Sequence, residues 1–435
     1  MKLLGYVQRE GRPVVANLAA QLGALVCLAA ASVVIARTGG AAAVGNYSLL
    51  RLLPWLAGRL LSCGMPSCIT YFLAGPSRDN PRLRPTIIAL TLGAGAVGTG
   101  VWILLAHVLQ DSLFHTMAVN LIAFAGIAVF TQLSVTTTKA CLQGEGDLTG
   151  MNWAIFLEEL LFVPAFGIAW AAGLRGTGAV ILALVLADMA TTAWICLRLS
   201  RHNFFARGLP SVRLARQLAS FGARSQIGDF LWLTSLRLDF AFVTFFAGPV
   251  TLGIYAVASR VAELLRLVPV AFAWVLFPSY AKDGKSLALP KARALLPRAT
   301  LITMAAATPL ALGSYVFIPV LYGPAFRPAI LPTEILICGL ATIGVTGVIG
   351  PFLRGIGRPG LESLAVGAGA VLTLGLDVVL IPRHHAAGAA VASSVAYLTT
   401  TALLLIAFFR VRRSHAAGAR APAPRLPQLA AEKVP

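Results

Sequence analysis

Apolar runs of about 20 residues, the length that crosses a ~30 Å hydrocarbon layer, recur along nearly the whole chain with only short polar breaks between them. They predict twelve spans, at 14–36, 46–74, 86–109, 116–142, 153–173, 177–199, 218–246, 251–281, 298–320, 329–353, 360–381 and 387–409. Some runs exceed 25 residues, so tilt, interfacial ends or kinks at Pro66, Pro269 or Pro309 must absorb the excess. Alternating short strands are absent, which argues against a barrel. The first run follows Lys2, Arg9 and Arg12, is too long for a signal-peptide core, and leads through "RTGGAAAVG" into another run; it reads as an uncleaved first helix.

Composition agrees with the pattern. Of 435 residues, 58% are hydrophobic and 12% charged, a balance that no water-soluble domain of this size carries on its surface. The expected class is an all-α polytopic membrane protein. A net charge of +19 suggests nucleic acid at first sight, but the basic residues sit in alternate loops. One side holds Lys2, Arg9 and Arg12; Arg78, Arg82 and Arg84; Arg198 to Arg216; Lys282 to Arg298; Arg354 and Arg358; and Arg410, Arg412 and Arg413. The other holds little beyond Arg37, Arg175, Arg327 and Arg383. That asymmetry places both termini in the cytoplasm and removes the need for a nucleic-acid partner.

The six cysteines all fall inside predicted spans, with no CxxC and no histidine at ligand spacing, so neither a metal nor a disulfide framework is expected. His384 and His385 read as an interfacial pair at a helix end. Residues 411–435, rich in Ala and Pro and without periodicity, read as a disordered tail.

The two halves share punctuation. "GGAAAVGNYSLLR" over "AGPVTLGIYAVAS" pairs Gly40 with Gly248, Gly45 with Gly253 and Tyr47 with Tyr255 at one offset of 208. "CLQGEGD" (141–147) over "FLRGIGR" (352–358) shares L-x-G-x-G, and "RGTGAVILA" (175–183) resembles "HAAGAAVAS" (385–393). Three matches in order at nearly one offset predict two six-helix lobes, 1–200 and 218–410, joined by a basic cytoplasmic linker at 201–217. An even number of spans per repeat puts the pseudo-two-fold axis along the membrane normal, around a central cavity.

The stretch "RLDFAFVTFFAGPVTLGIYAVASRVAELLRLVPVAFAWVLFPSYAK", with "FLRGIGRPG" and "LIPRHHAAGAAVASSVAYL", resembles the bacterial polysaccharide-unit (Wzx-type) flippases of the multidrug/oligosaccharidyl-lipid/polysaccharide exporter superfamily. The resemblance implies that superfamily's two-lobed fold in a bacterial cytoplasmic membrane, and a lipid-linked oligosaccharide as substrate. A count of twelve lacks the extra helix pair of the bacterial lipid II flippases.

Charges at bilayer depth are costly and usually face water or one another. Arg260, Glu263 and Arg266 recur at steps of three, which places them on one ~120° arc of a helix. In the matching helix of the first lobe, Arg51 and Arg59 are eight residues apart, ~80° around the axis. Arg237 and Asp239, two apart, point to different faces. The expected site is a cationic cavity of Arg51, Arg59, Arg237, Arg260 and Arg266, with Asp239, Glu263 and Asp188 as acids or coupling groups. Guanidinium suits pyrophosphate oxygens because it keeps its charge and donates paired hydrogen bonds.

Each residue also has a plainer reading. Arg59 and Arg266 can snorkel to the interface, Arg260–Glu263 can be a pair that locks the helix, and Asp188 can serve a helix–helix hydrogen bond. Glu158 and Glu159 read as interfacial, and Asp377 as structural.

The expected function is translocation of polyprenyl-pyrophosphate-linked repeat units by alternating access for surface polysaccharide. No enzyme activity or cofactor is expected, and the expected partners are the lipid-linked substrate, membrane lipids and a polysaccharide polymerase. No G-x-x-x-x-G-K-[ST] signature occurs, so an ion gradient, the membrane potential or downstream consumption would drive it. The rivals are a cation-coupled multidrug exporter of the same fold, a membrane polymerase or glycosyltransferase, and a scaffold for other assembly proteins. Short far-side loops without a Ser/His/Asp set count against the enzyme.

Overall fold

A computed structural model describes residues 2–62, 64–74, 79–201, 204–205 and 208–420; the side chains of 2–15, 223–237, 281–286, 414–420 and a few scattered positions are not described. Fourteen α-helices and no strands occur among the described residues. In chain order they are α1 (Lys2–Leu61), α2 (Met65–Ala74), α3 (Leu83–Leu104), α4 (Ala106–Ser112), α5 (Val119–Ala125), α6 (Ile127–Gly144) and α7 (Leu148–Leu160). There follow α8 (Phe162–Ala171), α9 (Gly176–Ser200), α10 (Val212–Glu263), α11 (Leu267–Phe317), α12 (Ile330–Leu340), α13 (Gly344–Gly355) and α14 (Pro359–Arg420).

Eight helical segments are long and apolar enough to cross a membrane, and nine if the bent Pro324–Leu340 and Gly344–Gly355 pair counts as one more. Three of these are broken internally. Gly40 (φ 69°, ψ −166°) divides α1, Gly248 (φ 79°, ψ 173°) divides α10, and His385 (φ 50°, ψ −128°) divides α14. Each break falls between two of the spans that hydropathy predicts.

Gly40 and Gly248 stand 208 positions apart, share an offset match, and adopt the same left-handed, extended conformation, which glycine enters without a Cβ clash. Pro249 then opens the second half of α10, where a missing N–H costs nothing in the first helical turn.

Packing falls into two groups. In one, α1 packs on α6 and α7, α6 on α2, α3 and α9, and α8 on α9. In the other, α11 packs on α13, and α14 on α10, α12 and α13. One buried cluster, from Met65 to Leu218, and another, from Leu276 to Val411, belong each to one end of the chain. The groups meet chiefly where α1 crosses α10.

That crossing is close because it is built from glycine. A Cβ on Gly45 would run into the carbonyl of Pro249, and a Cβ on Gly253 into the carbonyl of Ala41. Ala41 and Pro249 are themselves 208 apart, so the two contacts are reciprocal across the pseudo-two-fold. Beside them, Tyr47 and Tyr255 are 0% and 1% exposed.

Candidate functional site

Next to the glycine crossing, between the two groups, lies a cavity of about 670 Å³. The halves of α1 either side of Gly40 supply Gln21, Leu25 and Leu28, then Ser48, Arg51, Leu52 and Trp55. Gln132 and Lys139 come from α6, Glu158 and Glu159 from α7, and Asp188 from α9. The opposite wall is Phe240, Arg260 and Glu263 of α10, with Arg266 in the short turn before α11.

The structure thus brings Arg51, Arg260, Arg266, Glu263 and Asp188 to one space. Arg59 does not line it. It faces a small side pocket with Gly58, Ser62, Leu133 and Thr136, which adjoins the main cavity through the shared Trp55 and Gln132. Eight residues of helix carry it ~12 Å along the axis from Arg51, more than the ~80° rotation compensates. The Arg237 side chain lies outside the described residues.

Asp239 does not line the cavity, although the adjacent Phe240 does. It is buried inside the second helix group, where the Tyr255 hydroxyl donates to its Oδ2 at 2.6 Å and its own helix supplies the Phe240 N–H at 2.9 Å. Tyr255 in turn contacts Ser393 Oγ at 3.1 Å. Asp377, on α14, lies within electrostatic range of Asp239. It is 0% exposed, and neither carboxyl oxygen has a hydrogen-bond partner among the described residues.

Two expectations need correction. Glu158 and Glu159 are not interfacial: α7 begins at Leu148 rather than near 153, so both acids stand some ~15 Å into the helix and face the cavity. The cavity is therefore not predominantly cationic, because Arg51, Lys139, Arg260 and Arg266 are met by Glu158, Glu159, Asp188 and Glu263.

The charges are arranged unevenly between the walls. Glu159 accepts from Arg51, and Lys139 Nζ stands 2.5 Å from Glu158 Oε2. Thr131 Oγ1 donates to Asp188 at 2.9 Å. On the facing wall, Arg260 reaches across to donate to Ser48 Oγ at 3.2 Å, and its guanidinium lies over the Tyr47 ring at 5.2 Å, a cation–π distance. The first wall matches most of its charges internally, and the second holds Arg260 and Arg266 against Glu263.

Beyond the crossing the helix groups are tied together. Arg37 donates to the backbone carbonyls of Val320 and Leu321, and Ser32 Oγ donates to the Tyr322 hydroxyl at 2.9 Å. Carbonyl acceptors leave no side-chain signature, so the role of Arg37 is not legible in the sequence. No group of three or more His, Cys, Asp or Glu with metal-binding geometry occurs among the described residues.

This chain belongs to the polysaccharide biosynthesis protein family, whose model matches residues 77–331. No curated protein matches it. Its fold is similar to that of the lipid II flippase MurJ in an inward closed conformation, with a TM-score of 0.76 at 12% identity over 93% of this chain and 90% of the other. An inward-facing multidrug resistance MATE family transporter of the MOP superfamily gives 0.68 at 15% identity over 94% and 99%. An outward-facing MATE transporter gives 0.58 at 15% identity over 93% and 96%.

Proposed function

We propose that the protein is a flippase that moves polyprenyl-pyrophosphate-linked oligosaccharide units across a bacterial cytoplasmic membrane, with both termini in the cytoplasm. The observation that carries this reading is the cavity between two repeats in a polysaccharide-biosynthesis family member, closed by helix contacts beyond the glycine crossing, with Arg260 and Arg266 on one wall. Arginines at the edge of a low-dielectric space hold pyrophosphate by paired, charge-assisted hydrogen bonds. The polyprenyl tail remains in lipid while the head crosses. Exchange of the contacts at Gly45, Gly253 and Arg37 for contacts at the other end would complete alternating access. Nothing in this cycle requires bond chemistry, so the protein acts as a transporter and not as an enzyme.

Asp239 and Asp377 are the natural coupling pair in this scheme. Both carboxyl groups are buried, and Asp377 has no hydrogen-bond donor among the described residues, which suits a small cation.

Native mass spectrometry of the purified protein tests the substrate. A retained polyprenyl-pyrophosphate glycan that is lost in Arg260→Ala supports the flippase. A second reading, a cation-coupled multidrug exporter, is favoured by the four cavity acids; it predicts no such lipid and retention of cationic dyes.

A further inference from the structure

The part of the cavity lined by the first helix group carries two acceptors that no described residue fills. Gln132 is 6% exposed, yet its Oε1 has no hydrogen-bond partner among the described residues. Glu159 has one oxygen taken by Arg51 and the other, Oε2, likewise without a partner. Both residues line the cavity. A buried acceptor left unmade is costly, so such groups mark a place where a ligand or water donates.

Pyrophosphate cannot be that donor, since its oxygens are acceptors and carry the same sign of charge as Glu158 and Glu159. A hydroxyl-rich neutral ligand can, because each hydroxyl both donates and accepts. Trp55 stands beside Gln132, lining the cavity and its side pocket, and offers an amphipathic ring against which the C–H face of a sugar can lie. Gln21, on the same wall, is fixed by donating to Asn17 at 2.6 Å, and Asn17 donates to Asn152 at 2.7 Å.

We infer that Gln132, Glu159, Trp55 and Gln21, all from the first helix group, form a carbohydrate subsite for the first sugar of the glycan, beside the arginines that hold the pyrophosphate. The inference rests on the flippase reading and adds the part of the cavity that reads the sugar. The volume of about 670 Å³ lies in the range that encloses small ligands. Specificity follows from the orphan acceptors, because a site built to receive hydroxyl donors discriminates against ligands that lack them.

The test is a binding titration by native mass spectrometry with defined lipids. The probes are polyprenyl pyrophosphate alone and the same lipid carrying glucose, galactose or N-acetylglucosamine. At least one sugar should raise affinity by about tenfold over the bare lipid. Gln132→Leu and Trp55→Leu should each remove that gain and leave the bare lipid's affinity unchanged, which also shows that the cavity is intact. Arg260→Ala should weaken all the lipids. If no sugar adds affinity, or if both variants weaken bare and glycosylated lipids alike, the carbohydrate subsite is wrong and the flippase reading stands. If the wild type binds none of these lipids, both are wrong.

Discussion

Arg51 and Arg260 line one cavity from different helices and both reach Tyr47, in different electrostatic company. Arg51 is held by Glu159 and touches the Tyr47 hydroxyl at 3.4 Å, whereas Arg260 bridges the walls through Ser48 and the Tyr47 ring. A phosphate must therefore compete with a carboxylate at Arg51. Glu159→Gln removes the competitor and should raise affinity for bare polyprenyl pyrophosphate several-fold, read by the same lipid titration. Arg260→Lys should recover little of the loss seen in Arg260→Ala, because a lysine offers a point charge in place of a planar fork.

At the same scale, Asp377→Asn keeps the shape of the side chain and removes its charge. Transport should continue down a substrate gradient but lose its response to an imposed proton or sodium gradient, measured in vesicles. A wild-type response retained in the variant would remove Asp377 from the coupling scheme.

The residues that could be read from the sequence were those whose spacing on a single helix carried the information. Arg260, Glu263 and Arg266 share a face by periodicity alone and do line one space. Glu159, Lys139 and Glu158 acquire their roles only when α1, α6 and α7 come together, and no spacing along one helix shows that. Their depth depends on α7 beginning at Leu148, five residues before the apolar run that starts at 153.

Among the elements, the broken helices α1 and α10 do the structural work. Their repeat was legible because glycine and tyrosine punctuate it at a fixed offset, and the matching φ/ψ of Gly40 and Gly248 is the physical reason for the punctuation. The contacts at Gly45 and Gly253 close one end of the cavity with backbone against backbone. Gly45→Leu would overpack that crossing at a cost of about 1–3 kcal/mol, paid only in the state that forms it. Arg37→Ala removes the tie to Val320 and Leu321 at the same end. Either change should raise the labelling rate of a cysteine placed at buried Ser32 by a membrane-impermeant reagent added from the far side. An unchanged rate would mean that these contacts do not hold that end shut.

For the whole molecule, the all-α, multi-span plan followed from hydropathy, since membrane spans must satisfy their backbone within helices. What hydropathy could not show was the balance of charge in the cavity, which arises from tertiary pairing.

Translocation itself tests the central claim most directly. Proteoliposomes holding polyprenyl-pyrophosphate N-acetylglucosamine in the inner leaflet would be followed by lectin capture of sugar arriving outside, with wild type, Arg260→Ala and protein-free vesicles in parallel. The account predicts protein-dependent arrival that falls at least tenfold in Arg260→Ala, as expected for loss of charge-assisted phosphate contacts. Arrival at the protein-free rate in the wild type, or equal rates in the wild type and the variant, would contradict it.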